Sequence, residues 1–233
     1  MSPRPGKPKA TLEAILAELH DLANVDNVAG MARFGISTTN TLGISIATLR
    51  GIARRIARDH DLAMQLWATG IHEARMLATL VDEPAKVTEQ QMDAWVADLD
   101  SWDLCDGCCM NLFTQTPFAR AKVVEWADRD ETFVKRAAFA LIAALSHVRA
   151  TSDDEVRAFL PLIERVADDD RNFVKKAVNW ALRDIGKRNL ALNLEAIACA
   201  ERIQATDGRA ARWIAADALR ELRGAAVQKK LGA

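Results

Sequence analysis

Three stretches in the second half of the chain decide its fold. FVKRAA at residues 133–138 is followed forty positions later by FVKKAV at 173–178, and then by the looser copy WIAADA at 213–218. Another amphipathic segment precedes each copy, at residues 118–127, 156–167 and 194–203. Apolar residues recur every three or four positions in these segments, which predicts α-helices. The chain therefore contains pairs of helices that repeat about every 40 residues.

Short acidic turns separate the two helices of a pair, DRD at 128–130 in one copy and DDD at 168–170 in the next. A period of about 40 residues made of two helices and a tight turn is typical of HEAT-like and armadillo-like α-solenoids. We therefore predict an all-α fold, a HEAT-like or armadillo-like solenoid of helical pairs whose second helices line a concave binding face. The alternative is that two similar amphipathic helices arose by chance in an alanine-rich chain.

The predicted organisation of the 233 residues is one repeat domain with a tail at each end. Residues 1–10 contain three prolines and three cations and are expected to be a flexible tail. Residues 11–225 form the single HEAT-like domain and residues 226–233 a C-terminal tail. No apolar run of 18 residues occurs, and the first residues lack the apolar core of a signal peptide. We therefore expect no membrane segment and a cytoplasmic location.

Charge is unevenly distributed along a chain whose formal net charge is -1. This neutrality argues against a polybasic coat that binds nucleic acid over the whole surface, and against an acidic disordered chain. The net charge is +3 over residues 1–60, -7 over 61–120, -1 over 121–180 and +4 over 181–233. Basic ends thus flank an acidic middle, which leaves room for a local basic face.

An indole and a carboxylate are paired in the segment SWDLCD, at Trp102 and Asp106. Residues four apart share one face of a helix. The pair suits a site that binds a cation, since the ring face attracts positive charge and the carboxylate compensates it. An exposed aspartate beside a half-buried tryptophan is the plainer interpretation of the same spacing.

Cations stand at the start of two of the repeated helices, Lys135 and Arg136 in one and Lys175 and Lys176 in the other. Cations in the first turn of a helix are mildly unfavourable unless an anion binds there. Two helices with cations in register therefore predict a track for a polyanion backbone, whereas a solvated charged face is the alternative. The second helix continues the stripe through Lys176, Trp180 and Arg183. A separate basic stripe with a period of four consists of Arg50, Arg54 and Arg58.

Other motifs exclude several classes of chemistry. Cys105, Cys108 and Cys109 have no second CxxC or histidine pair nearby, so we expect reduced thiols and no zinc site. His72-Glu73 lacks the second histidine of a metalloprotease helix. The glycine-rich motifs of nucleotide-binding proteins and the GxSxG motif of esterases are absent from the sequence.

Four motifs together resemble the AlkD-like DNA alkylation-repair glycosylases, whose fold is a HEAT-like superhelix. They are MxxFGI at 31–36, DSWDLCD at 100–106, VKRAA at 134–138 and FVKKAVNWALRDIGKRN at 173–189. The resemblance spans residues 30–225 and implies a monofunctional hydrolase that releases cationic alkylated purines, N3-methyladenine and N7-methylguanine, from duplex DNA. It also implies access from the backbone side, without a closed base pocket.

Carried onto this sequence, the resemblance implies four site residues. Trp102 and Trp180 take the place of the two active-site indoles, Asp106 that of the catalytic carboxylate, and Arg136 that of an arginine that holds a phosphate. The expected DNA-binding residues are Lys135, Lys175, Lys176, Arg183, Arg50 and Arg54.

We expect double-stranded DNA with alkylated bases as the partner, a monomer, and no membrane, metal or small-molecule cofactor. Two other functions remain open. One is a non-catalytic solenoid that binds branched or damaged DNA, and the other is a HEAT-like scaffold that binds proteins.

Overall fold

The computed structural model describes residues 10–232, so the expected N-terminal tail lies outside the described residues except for Ala10. The described residues form helices, turns and loops without β-strands, which confirms the all-α prediction. The sequence predicts a single repeat domain, whereas these residues form two compact units that are divided along the chain between Val87 and Thr88. Within residues 10–232, no helix has both the length and the apolar character needed to cross a bilayer.

The first unit consists of five helices, α1 (Leu12–Asp21), α2 (Val25–Arg33), α3 (Ile46–Arg55), α4 (His60–Ala68) and α5 (His72–Val81). Side-chain caps define several of the starts, as at α3, where the Ser45 hydroxyl accepts a hydrogen bond from the Thr48 amide at 3.2 Å. Helices α4 and α5 pack as a pair and bury Leu66, Trp67 and Leu77 between them and their neighbours. The basic stripe Arg50, Arg54 and Arg58 lies on or just after α3.

A buried carboxylate holds the loop between α2 and α3. The two oxygens of Glu73 accept hydrogen bonds from the amides of Leu42, Gly43 and Ile44, at 2.8, 2.7 and 3.2 Å. Gly43 has a φ of 78°, and a Cβ there would come within 2.2 Å of the Asn24 carbonyl oxygen, so only glycine fits. Glu73, next to His72, therefore has a structural role.

The second unit begins with α6 (Glu89–Ala97) and contains the repeated helices. They are α7 (Trp102–Asn111), α8 (Ala119–Ala127), α9 (Thr132–Leu145), α10 (Asp153–Arg157), α11 (Leu160–Val166), α12 (Asn172–Gly186), α13 (Leu190–Gln204), α14 (Arg209–Leu222) and α15 (Ala225–Leu231). Helices α7, α9, α12 and α14 pack side by side in one layer, and α8, α11 and α13 pack against them in a second. This two-layer array of helical pairs is the predicted HEAT-like solenoid architecture.

The four helices of the first layer run in the same direction. The Cys109 thiol bonds the Ala137 carbonyl on the next helix at 3.5 Å, and the Asn179 amide bonds the Asp217 carboxylate at 2.6 Å. Arg136 on α9 bonds the Phe173 carbonyl in the first turn of α12, and His147, two residues after α9, bonds Asp184 near the end of α12, so the order is the same along both segments. Because each bond links equivalent positions of successive helices, the array brings side chains 28 to 38 residues apart in sequence into contact.

The repeat length changes along this array. Helix α12 begins 40 residues after α9, but α14 begins 37 residues after α12, so the third copy is shifted from the offset that the sequence suggests. The outer helix explains the change, because α13 is continuous whereas residues 153–166 are divided into α10 and α11. Pro161 stands in the first turn of α11, where its missing N–H is tolerated, but it cannot continue a helix from α10.

The C-terminal segment differs from the expected tail. Residues 225–231 form α15, which the Gln228 side chain attaches to the second unit by a hydrogen bond of 3.1 Å to the Asn193 side-chain oxygen. The helix contains no fully buried residue. It therefore lacks the apolar stripe by which a helix is recognised in a sequence.

Candidate functional site

The start of α7 presents Trp102 and Asp106 one helical turn apart. Ser101, the residue before the helix, is buried, and its hydroxyl bonds the Asp103 carboxylate within the first turn. Trp102 and Asp106 are both partly buried. The structure therefore agrees with the predicted shared face of these two side chains.

Arg136, on α9, donates two hydrogen bonds to the Asp106 carboxylate on α7. Its Nε donates to Oδ1 at 3.0 Å and its Nη2 to Oδ2 at 2.9 Å, while Nη1 donates to the Phe173 carbonyl at 2.8 Å. The guanidinium carbon also lies 6.0 Å from the centroid of the Trp102 ring. Such a bidentate pair fixes both the position and the plane of the carboxylate. Three of the four residues that the family resemblance implies thus meet in one cluster, which we call the Asp106 cluster.

Burial and charge act on the Asp106 carboxylate in opposite directions. Burial raises its pKa above the ordinary value of 3.8, the Arg136 guanidinium lowers it, and Asp103 raises it further, with a net upward shift. The side chain of Asp106 is still 16% exposed. A fixed and partly accessible carboxylate of this kind can face a developing positive charge or orient a water molecule.

Arg136 is placed differently from the phosphate-binding arginine that the resemblance implies. Its side chain is only 7% exposed and makes three hydrogen bonds inside the protein. Its observed contacts hold Asp106 and join α7 and α9 to the first turn of α12. Sequence spacing does not reveal this role, because Arg136 and Asp106 are 30 residues apart and on different helices.

Trp180 belongs to a second cluster, further along α12. Its indole N–H donates to the Asp184 carboxylate at 2.7 Å, and the same oxygen lies 2.9 Å from Nε2 of His147. The Lys187 ammonium pairs with the other oxygen at 2.6 Å. Trp180 is seven residues beyond Phe173, the carbonyl that Arg136 reaches, which places it about 10 Å further along the helix axis.

Asp184 is a candidate site residue that the sequence reasoning missed, although a signal was present. Trp180 and Asp184 repeat the four-residue spacing of Trp102 and Asp106 on a later helix of the same layer. We call the group of Trp180, Asp184 and His147 the Asp184 cluster.

The predicted DNA-binding cations differ in how freely they face solvent. Lys135 and Arg183 are partly buried and pair with acidic residues, Lys135 with Asp169 at 3.8 Å and Arg183 with Glu221 and Asp217. On α12, Lys175 is partly buried, with its ammonium 5.6 Å from the centroid of the Trp213 ring, whereas Lys176 is exposed. In the first unit, Arg50 and Arg54 are exposed on α3. The last three cations are therefore the ones best placed to meet a phosphate.

The cysteines that follow Asp106 pack α7 against α9. Cys105, Cys108 and Cys109 are completely buried, and the Cys105 thiol lies 3.6 Å from the Phe133 carbonyl oxygen. Burial raises the pKa of Cys109 well above its ordinary value, which keeps the thiol protonated. Among residues 10–232, no group of three or more histidine, cysteine or acidic side chains could hold a metal ion.

Comparison with known proteins assigns the sequence to a family. The sequence profile of a family described as DNA alkylation repair enzyme matches residues 15–222. A solved structure described as "A new family of proteins related to the HEAT-like repeat DNA glycosylases with affinity for branched DNA structures" is 18% identical, with a TM-score of 0.77 over 96% of this chain and 97% of that one. No curated protein is a significant match in sequence.

Two artificial proteins are more distant. An engineered protein is 15% identical with a TM-score of 0.43, over 94% of this chain and 95% of its own. A designed armadillo repeat protein is 15% identical with a TM-score of 0.35, over 76% of this chain and 92% of its own. The family profile, in contrast, covers both compact units and all the residues of the two clusters. The chain therefore belongs to the DNA alkylation repair enzyme family, on a fold shared with relatives of the HEAT-like repeat DNA glycosylases.

Proposed function

We propose that this protein is a DNA glycosylase that hydrolyses the N-glycosidic bond of cationic alkylated purines in duplex DNA, with N3-methyladenine and N7-methylguanine as substrates. The observation that carries the proposal is the Asp106 cluster, in which Arg136 fixes a partly accessible carboxylate beside the Trp102 ring. Membership of the DNA alkylation repair enzyme family supports the substrate class.

The hydrolysis of the glycosidic bond requires from the protein mainly a negative charge placed near the reacting sugar. Alkylation at N3 or N7 puts a positive charge on the purine, so the base is already a good leaving group. As the glycosidic bond breaks, positive charge develops on the deoxyribose, as it does on the sugar in glycoside hydrolysis. In our proposal Asp106 faces this oxocarbenium-like sugar and orients the attacking water. Trp102 packs against the same nucleotide, where its ring face stabilises positive charge.

Arg136 acts on the reaction through Asp106 in this proposal. Its two hydrogen bonds hold the carboxylate in one orientation, so little reorganisation is needed when the charge develops. Trp180 packs on the neighbouring nucleotide, and its hydrogen bond to Asp184 sets the orientation of the indole. The exposed cations Lys176, Arg50 and Arg54 bind the phosphate backbone, and this binding weakens as salt rises.

The test is base release from a duplex that carries one N7-methylguanine, with spontaneous release subtracted. Asp106→Asn keeps the size of the side chain but removes its charge, and we expect it to slow release about 100-fold or more. Asp154→Asn is the matched control, because this aspartate on α10 has a side chain that is 91% exposed. Equal release by the wild type and Asp106→Asn, or no release above the spontaneous rate by the wild type, would contradict the proposal.

A second candidate function is the binding of branched DNA without base excision. It is favoured by the described affinity for branched DNA of the structure whose TM-score is 0.77. A band shift with a four-way junction and a linear duplex of equal length separates the two functions. Preferential junction binding that survives Asp106→Asn, together with no base release, would support the second function over the first.

A further inference from the structure

Trp213 is an exposed tryptophan on the layer that carries both clusters. It lies in the second turn of α14 and is 41% exposed, whereas Trp67, Trp95 and Trp126 are buried. The Lys175 ammonium of the neighbouring helix α12 stands 5.6 Å from the centroid of its ring. An indole ring that is open on one face can stack on the planar ring of a bound base.

The surroundings of Trp213 resemble the Asp106 cluster, but with the order of the two helices reversed, since the cation is on α12 and the indole on α14. In both places a cation from one helix stands over the indole of an adjacent helix. Asp217 follows Trp213 at the same four-residue spacing, but its carboxylate accepts a hydrogen bond from Asn179 and is paired with Arg183 and Arg220. The carboxylate is thus occupied by protein groups. The ring therefore remains as the accessible part of this copy.

The positive charges near the Trp213 ring indicate what kind of partner it binds. The Lys175 ammonium lies 5.6 Å from the ring centroid, and the exposed Arg212, next to Trp213 on α14, donates to the Asp207 carbonyl and adds a second cation on the adjacent residue. Cations around an open aromatic ring are the arrangement by which proteins hold single-stranded nucleic acid, since the cations meet phosphates and the ring stacks on a base. In a duplex the bases are already stacked on one another. The ring therefore fits an unpaired base and not a base within the helix.

We propose that Trp213, with Lys175 and Arg212, binds an unpaired nucleotide of a single-stranded arm or gap in the bound DNA. This inference rests on the proposed binding of DNA and adds a preference for DNA with a single-stranded segment. The indole stacks on the base. The Lys175 ammonium, now 5.6 Å from the ring centroid, turns toward the phosphate of this nucleotide, and Arg212 contacts the adjacent phosphate.

The experiment measures fluorescence anisotropy with three labelled probes: a blunt duplex, the same duplex with a ten-nucleotide thymidine overhang, and the free overhang strand. Base-to-aromatic stacking contributes about 1–3 kcal/mol, so we expect Trp213→Ala to weaken binding of the overhang duplex about 5- to 100-fold. Blunt-duplex affinity should stay within about twofold. Trp213→Phe, which keeps a ring, should restore most of the lost affinity.

Two controls keep the interpretation clear. Leu194→Ala removes another exposed apolar side chain, on the outer helix α13, and should change neither affinity. Arg212→Ala should lower the salt dependence of overhang binding by about one unit of slope and leave that of blunt-duplex binding unchanged. The inference alone is overturned if Trp213→Ala binds the overhang duplex as the wild type does while the blunt duplex is bound. Failure of the wild type to bind any of the probes would overturn the proposed DNA binding as well.

Discussion

The Asp106 and Asp184 clusters are built on the same spacing and differ in what surrounds the carboxylate. In each, an aspartate follows a tryptophan by four residues on a helix of the same layer. Asp106 accepts two hydrogen bonds from one buried arginine, whose guanidinium carbon lies 6.0 Å from the centroid of the Trp102 ring. Asp184 receives the indole N–H of its own tryptophan, a histidine and a lysine.

A tryptophan and an aspartate four residues apart can therefore serve two different roles. In the Asp184 cluster the carboxylate holds the indole, so the tryptophan is the group presented outward. In the Asp106 cluster the arginine holds the carboxylate, which stays 16% exposed and is the group presented outward. We infer that Asp106 acts on the substrate and that Asp184 acts on Trp180. Four measurements test this contrast.

The largest expected effect is on the rate of base release. Asp106→Asn should slow release from N7-methylguanine duplex about 100-fold or more, because a preorganised charge at the reacting sugar is lost. Asp184→Asn should slow it less than about tenfold, since the carboxylate only positions an indole. Single-turnover kinetics with enzyme in excess would measure both rates. Equal losses in the two variants would remove the distinction between the clusters.

The next effect is on folding stability. Arg136→Ala leaves the largely buried Asp106 carboxylate without its partner, which should lower the free energy of unfolding by about 3 kcal/mol. His147→Ala removes a side chain that is 65% exposed, and should lower it by less than about 1 kcal/mol. Urea titrations followed by circular dichroism would give both values. A larger loss in His147→Ala than in Arg136→Ala would mean that the contacts of the Asp184 cluster contribute more to folding stability than those of the Asp106 cluster.

The rate of base release should depend on pH through the ionisation of the Asp106 carboxylate. The proposed reaction needs the ionised carboxylate, so the rate falls as pH falls through the pKa of Asp106. Burial raises this pKa above 3.8, and the acid limb should therefore begin at a higher pH than for an ordinary aspartate. Rates from pH 4 to 8, corrected for spontaneous release, would locate the limb. Its persistence in Asp106→Asn would assign the limb to another group.

The smallest effect concerns the indole N–H of Trp180. Trp180→Phe keeps a ring but removes the donor to Asp184, which should lower the free energy of unfolding by about 1 kcal/mol. Base release should fall by less than about tenfold, because stacking is preserved. Thermal unfolding and the duplex assay would be compared with Trp102→Phe. A greater loss of activity in Trp180→Phe than in Trp102→Phe would show that the donor matters to the reaction itself.

The fold could be predicted from the sequence because it repeats. Matched apolar positions at 133–138 and 173–178 predict the helical pairs, and α9 and α12 lie where they were expected. The spacing of Trp102 and Asp106 likewise predicts a shared helix face. Such local periodicity reports on faces within one helix.

Contacts between helices could not be read in the same way. The hydrogen bonds between Arg136 and Asp106 join residues 30 positions apart, and the bond from Arg136 to the Phe173 carbonyl joins residues 37 positions apart. These distances depend on how close α7, α9 and α12 pack, which small buried residues such as Ala137 and Ala140 permit. The division at Pro161 also shifted the third copy, so an offset fixed at 40 residues misplaced the start of α14. The role of Arg136 and the position of Asp184 relative to His147 emerge only from this packing.

The bond from Arg136 to the Phe173 carbonyl has a consequence for the order in which the protein is made. All the contacts described for the Asp106 carboxylate and its arginine come from residues between Trp102 and Phe173. About sixty residues follow Phe173 in the chain. Synthesis proceeds from the N-terminus and neighbouring repeats stabilise each other mainly in pairs. The carboxylate can therefore reach its final geometry as soon as α12 docks, while the helix that carries Trp213 is still on the ribosome.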